Sequence, residues 1–130
     1  MKGEKLPKLD VEYLGTAPVT DSKPMIVEFW ATWCPPCRAS IPHLNDIFAK
    51  YKDKGLVIIG ITKEEKSVVK GFLKKTPMNY FPALDAKGKY SAQFKIKGIP
   101  HAVVVDKSGT VVWEGHPMQL NDKIIESILK

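Results

Sequence analysis

Leu9, Val11 and Tyr13 alternate with Lys8, Asp10 and Glu12, the period-two pattern of a half-buried strand. Turn formers occupy Gly15 to Pro24, and Met25-Ile26-Val27-Glu28-Phe29-Trp30-Ala31 then reads as a strand covered on both faces. From Pro35 to about Asp53 the period changes, and Ile41, Leu44, Ile47, Phe48 and Tyr51 fall on one helical face. Pro35 and Pro36 suit a helix's first turn, whereas Pro42 lies inside and is expected to kink it. Gly55 closes the helix, and Leu56 to Ile61 forms a second buried strand. Glu64 to Lys75 predicts a helix with Val68, Val69, Phe72 and Leu73 facing inward. A short extended piece follows at Phe81 to Leu84, then a brief helix near Tyr90 to Phe94. Ala102–Asp106 and Thr110–Glu114 predict a hairpin around Lys107-Ser108-Gly109, and a last helix from about Asn121 to Leu129 buries Ile124, Ile125, Ile128 and Leu129. Strand-helix-strand followed by a hairpin and helix predicts an α/β fold, a central mixed sheet with helices on both faces.

The chain has 130 residues, 44% of them hydrophobic, which suits one domain with a full core. Residues 1–7 are expected to be a flexible lead-in and 8–130 the domain. No apolar run is long enough for a bilayer span, and no repeat or low-complexity tract stands out. The charge is basic, 20 Lys+Arg against 14 Asp+Glu, but every basic residue except Arg38 is a lysine, and the lysines are scattered. That is the pattern of a solvated surface and not of a nucleic-acid site.

Chemistry enters with the two cysteines, Cys34 and Cys37. A secreted disulfide scaffold uses more cysteines, spread widely, so this spacing points to redox or metal work. Cys34 follows a buried strand and opens a helix, where the helix N-terminus stabilises a thiolate. Cys37 lies one turn along, near enough to close a small disulfide ring. An exposed first thiol and a sheltered second one are what reversible exchange requires. A structural zinc site would need four ligands, and beyond the pair only His43, His101, His116 and carboxylates are available. His43 lies nine residues after Cys34, roughly 900° around a helix, on the opposite face. No second CxxC exists.

The run Phe29-Trp30-Ala31-Thr32-Trp33-Cys34-Pro35-Pro36-Cys37-Arg38, with Pro42 beyond it and Gly98-Ile99-Pro100 later, resembles the thioredoxin superfamily. Within it, the chain resembles the TlpA/ResA-like branch of bacterial thiol–disulfide reductases, from about Leu9 to Lys130. The 36 residues between Ile61 and Gly98 resemble that branch's central insertion. The resemblance implies a thioredoxin-like fold and a cis peptide bond before Pro100. It also places the Ile99 backbone beside Cys34, where it can pair with an extended substrate. Glu28, the one carboxylate of an apolar strand and six residues before Cys34, matches the buried acid of thioredoxins and is a candidate proton relay. Glu64 resembles an acid held near the site in some members of the branch, although a carboxylate at a helix start facing water explains it equally well. Trp33 is expected beside the disulfide on the substrate surface, and Trp30 in the core. His101 departs from the small or hydroxyl residue expected after Pro100, and is either structural or a modulator of Cys34.

These readings combine into dithiol–disulfide exchange. Cys34 attacks a protein disulfide, Cys37 resolves the mixed disulfide, and Glu28 accepts its proton. The expected partners are a disulfide-containing protein substrate and an upstream thiol electron donor, with no nucleic acid, no membrane span, no metal or organic cofactor, and a monomeric state. Three rivals stand beside it: an oxidase or isomerase using the same cysteines, a copper chaperone-like metal module, and a peroxidase of the peroxiredoxin type, which would need an isolated peroxidatic cysteine. The N-terminus lacks an apolar export signal. The branch nevertheless implies a periplasmic or other extracytoplasmic location, with the signal upstream, and a cytoplasmic one stays open. Pro35 and Pro36 remove two N–H donors from the helix start, which predicts a moderately stabilised Cys34 thiolate and a reducing poise.

Overall fold

The computed structural model describes residues 1–130. In chain order its elements are β1 (Glu12–Tyr13), β2 (Met25–Phe29), α1 (Pro35–Tyr51), β3 (Val57–Thr62), α2 (Lys66–Lys75), β4 (Phe81–Leu84), α3 (Lys89–Ala92), β5 (His101–Val105), β6 (Val111–Gly115) and α4 (Asp122–Leu129). The strands form one sheet in the order β1-β4-β3-β2-β5-β6. β2 runs parallel to β3 and antiparallel to β5, so Glu28 lies between Gly60 and Ala102. All five residues of β2 and all six of β3 are buried, which is why their sequences are continuous apolar runs and not alternations.

Each face of the sheet carries its own core. On one side Met25, Val27 and Phe29 pack with Ile59, Val103, Tyr90 and Phe94. On the other, Ile26, Ile58 and Val104 meet Leu44, Ile47 and Tyr51 of α1 and Ile125 and Ile128 of α4. A third cluster gathers Trp30, Cys34, Cys37, Ile41, Val69 and Leu84. The expected mixed sheet flanked by helices is therefore the fold observed. At Gly60 a Cβ would come within 3.2 Å of Met78 Sδ and Trp30 Nε1, a tight fit that a side chain could enter only if these neighbours shifted.

Several boundaries differ from the sequence expectation. Only Glu12 and Tyr13 of the first apolar alternation join the sheet, antiparallel to β4. α1 ends at Tyr51 in a short 3-10 turn closed by Gly55 at φ +98°. The second helix starts at Lys66, with Glu64 in the loop before it, and Val68 faces outward at 49% exposure. Residues 1–7, expected as a flexible lead-in, lie along the hairpin instead. Gly3 N–H donates to Val111 O at 2.7 Å, Leu6 N–H to Gly109 O at 2.8 Å, and Val111 N–H to Glu4 O at 2.9 Å. These bonds satisfy backbone groups at the outer edge of β6. Met1 and Leu6 also pack on the Phe29–Tyr90 core.

Candidate active site

The active-site loop begins where β2 leaves the sheet. Trp30 N–H donates to Ile61 O at 3.1 Å, and Cys34 N–H to Ala31 O at 3.3 Å, turning the chain into α1. Cys34 is the N-cap, with φ −96° and ψ 107°, and Pro35 and Pro36 take the first two helical positions. Proline suits these positions because their N–H groups would have no intrahelical partner. The first free amide is that of Cys37, which donates to Cys34 Sγ at 3.3 Å. Cys34 and Cys37 are joined in a disulfide with Cα atoms 5.2 Å apart. Cys37 is fully buried. Cys34, expected to be exposed, keeps only 3% of its surface, because its sulfur is turned toward Cys37 and Ile99 packs against it.

Opposite the disulfide, the Ile99–Pro100 bond is cis, and Ile99 O lies 3.8 Å from Cys34 Sγ. Trp33, next to Cys34 in the chain, is 69% exposed, while Trp30 is buried. The Trp30 Nε1 is a buried polar atom without a partner.

Glu28 is completely buried on the α1 side of β2. Ser40 Oγ lies 2.9 Å from Glu28 Oε2 and 2.8 Å from Cys37 O, and Tyr80 OH donates to Glu28 Oε1 at 3.4 Å. Burial pushes the Glu28 carboxyl up to about 8, and the hydrogen bonds from Ser40 and Tyr80 offset part of that rise. The one proton of Ser40 Oγ can serve only one acceptor at a time. Of the two acceptors, an ionised Glu28 carboxylate is the stronger. Burial, followed by the neighbouring Glu28, also holds the Tyr80 phenol well above its ordinary range, so Tyr80 stays a donor. Neither Ser40 nor Tyr80 is evident from sequence reasoning. Ser40 carried a usable signal, since it follows Cys37 by three residues and shares its helix face. Tyr80 carried none.

Glu64 accepts from Thr32 N–H at 2.8 Å, Thr32 Oγ1 at 2.6 Å and Thr62 Oγ1 at 2.8 Å. It therefore ties the end of β3 to the loop two residues before Cys34, instead of facing water at a helix start. His101 is engaged by the neighbouring strand β6. Its Nε2 lies 3.1 Å from Glu114 Oε1 across the β5–β6 pair. The other two histidines are engaged as well: His43 Nε2–H donates to Leu120 O at 3.1 Å, and His116 Nδ1 accepts from Met118 N–H. No three His, Cys, Asp or Glu side chains gather as a metal-ligand group.

Beside the disulfide is an open cavity of about 540 Å³. Phe29, Trp30 and Ile61 contribute apolar surface, Trp33 and Ile99 border the cysteine end, and Lys63, Lys95 and Lys97 lie around it with Glu64.

The chain is similar to known proteins in sequence and in fold. Residues 4–114 match the AhpC/TSA family. The chain is 31% identical over 109 residues to the thiol-disulfide oxidoreductase ResA of Bacillus thuringiensis subsp. konkukian, covering 83% of this chain and 63% of that one. It is 31% identical over 110 residues to the thiol:disulfide interchange protein DsbE of Yersinia pestis, covering 83% and 56%. The chain thus spans less than two thirds of either relative. Among solved structures, a Chlorobium tepidum protein assigned as thiol:disulfide interchange protein DsbE superposes with a TM-score of 0.91. It is 27% identical, and the match covers 100% of this chain and 99% of that one.

Proposed function

The chain belongs to the AhpC/TSA family, and from that premise we propose that it is a thiol–disulfide oxidoreductase that reduces protein disulfides. The observation that carries this reading is the Cys34–Cys37 disulfide, set at the start of α1 and facing the Ile99 carbonyl. In the reduced enzyme, Cys34 thiolate attacks one sulfur of the substrate disulfide and expels the other as thiolate, leaving a mixed disulfide. Cys37 passes its proton toward Glu28 and attacks Cys34 Sγ. The Cys34–Cys37 bond forms, and the second substrate sulfur leaves as thiolate. Two electrons have moved from enzyme to substrate, and an upstream thiol donor returns them.

Glu28 is proposed as the proton relay and Ser40 as its positioning residue. With its carboxyl raised to about 8, Glu28 is mostly protonated at neutral pH. In that form it can protonate Cys37 as the leaving thiolate when the donor opens the disulfide, and the carboxylate left behind takes the proton back from Cys37 during substrate reduction. Ile99 and Pro100 form the proposed backbone docking edge, with Trp33 beside them on the substrate surface. Pro35 and Pro36 act as modulators of Cys34, and Glu64 and His101 act indirectly: Glu64 holds the loop, and His101 sits on Glu114.

A peroxidase reading lacks its isolated peroxidatic cysteine, since both cysteines are in the pair. A copper-binding reading would use the same two thiols as ligands, and metal analysis of the purified protein separates it from disulfide exchange. The proposal includes a monomeric state and an extracytoplasmic location, the latter supported by the resemblance to the TlpA/ResA-like branch. No helix is long and apolar enough to cross a membrane.

Insulin reduction with dithiothreitol as donor tests the activity, and Cys37→Ser tests the roles. The variant is expected to accumulate a mixed disulfide through Cys34, and Cys34→Ser is expected to form none. Alkylation of the reduced wild type that labels Cys37 before Cys34 would reverse the assignment.

A further inference from the structure

Lys63, Lys95 and Lys97 come from two distant stretches of sequence, yet the fold brings them to one cavity that opens beside Cys34. All three are exposed, and none forms an ion pair. The lone acid of the lining, Glu64, has both oxygens committed to Thr32 and Thr62. Three cations against one carboxylate leave the mouth of the cavity positive, while its inner wall is apolar. The lysines look scattered along the chain, yet the fold gathers these three at one cavity beside the reactive disulfide.

The same residues connect the cavity to the exchange site. Lys97, Gly98 and Ile99 are consecutive, and Ile99 presents its carbonyl 3.8 Å from Cys34 Sγ. Lys97 lies two residues from that carbonyl, so the cavity adjoins the backbone on which a substrate strand would lie. We propose that this cavity selects substrates whose reactive cysteine is flanked by an apolar side chain next to Asp or Glu. The apolar side chain enters between Phe29, Ile61 and Trp33, and the carboxylate meets the lysines at the mouth. This inference rests on the oxidoreductase reading and adds a substrate class to it. Attraction of this kind acts mainly on encounter rates and weakens as salt screens it.

Two disulfide-bridged peptides with the same cysteine and the same neighbouring leucine decide it, one carrying two glutamates beside them and the other two lysines. The wild-type enzyme is expected to reduce the acidic peptide with about tenfold higher kcat/KM at low salt, the ratio falling toward one at about 0.5 M salt. Lys95→Glu/Lys97→Glu is expected to invert the ratio, and Lys63→Glu alone to lower it. Equal rates for the two peptides at low salt, a ratio indifferent to salt, or the same ratio in these variants would overturn the proposal. Reduction of the uncharged 2-hydroxyethyl disulfide by the wild type reads the chemistry separately. Failure there strikes the oxidoreductase reading, whereas activity there with no charge preference strikes only the cavity's selectivity.

Discussion

Glu28 joins the chemistry of the site to the stability of the whole strand. A carboxyl raised from 4.5 to about 8 binds more protons folded than unfolded between those two values. Stability should therefore fall as pH rises through that window, by at most about 1.4 kcal/mol per pH unit. Glu28→Gln keeps the shape and cannot ionise. In urea unfolding it should match the wild type near pH 4.5, gain on it through the window, and hold a constant advantage of a few kcal/mol above pH 8. A difference that does not change with pH would mean that Glu28 titrates normally. The same substitution should slow resolution of the mixed disulfide about tenfold or more and erase the inflection near pH 8 from the rate profile. Ser40→Ala removes a bond that favours the ionised carboxylate, so it should move that inflection to higher pH without erasing it. A merely structural Ser40 would change the melting curve and leave the inflection in place.

At the scale of elements, what could be read in advance followed burial. β2 and β3 announced themselves as continuous apolar runs because both faces are covered, and α1 by its single buried stripe. The cysteine pair, Trp33 and Pro100 were legible because they occupy one contiguous motif and one matching tripeptide. Contacts between distant segments were not. Nothing local shows that residues 3–6 bond to 109–111, or that Ser40 and Tyr80 converge on Glu28 from positions 12 and 52 residues away. Glu64 illustrates the cost of reasoning locally. At a helix start its carboxylate has an adequate partner in the helix dipole, yet the fold gives it Thr32 and Thr62. Because it crosses between the β3 end and the cysteine loop, Glu64→Ala should destabilise the protein by about 2 kcal/mol, the scale of hydrogen bonds to a charged acceptor. It should also raise hydrogen exchange at the Thr32 amide relative to the amides of β2. Unchanged protection at Thr32 would show that the loop is held without Glu64.

For the molecule as a whole, the direction of electron flow depends on how strongly the fold stabilises the Cys34 thiolate. An oxidant holds its reduced form down with a strongly acidic first thiol. Here the helix start is poor in donors, because Pro35 and Pro36 have no N–H, and the Cys37 amide at 3.3 Å is the bond that remains. The helix dipole still acts, since it belongs to all the peptide units of α1. A cationic imidazole beside Cys34 would have strengthened the thiolate, but the His101 ring is turned to Glu114, whose carboxylate neutralises it when protonated. The free lysines at the cavity mouth work in the opposite sense, although their exposed heads are screened by water and salt. One weak donor and a dipole, without a buried cation, describe a moderately acidic thiol. Equilibration with glutathione buffers should accordingly give a potential nearer about −270 mV than about −120 mV. A value above about −180 mV would make the protein an isomerase or oxidant. It would also point to the lysines as the source of the extra thiolate stabilisation, which the Lys95→Glu/Lys97→Glu variant would then lower.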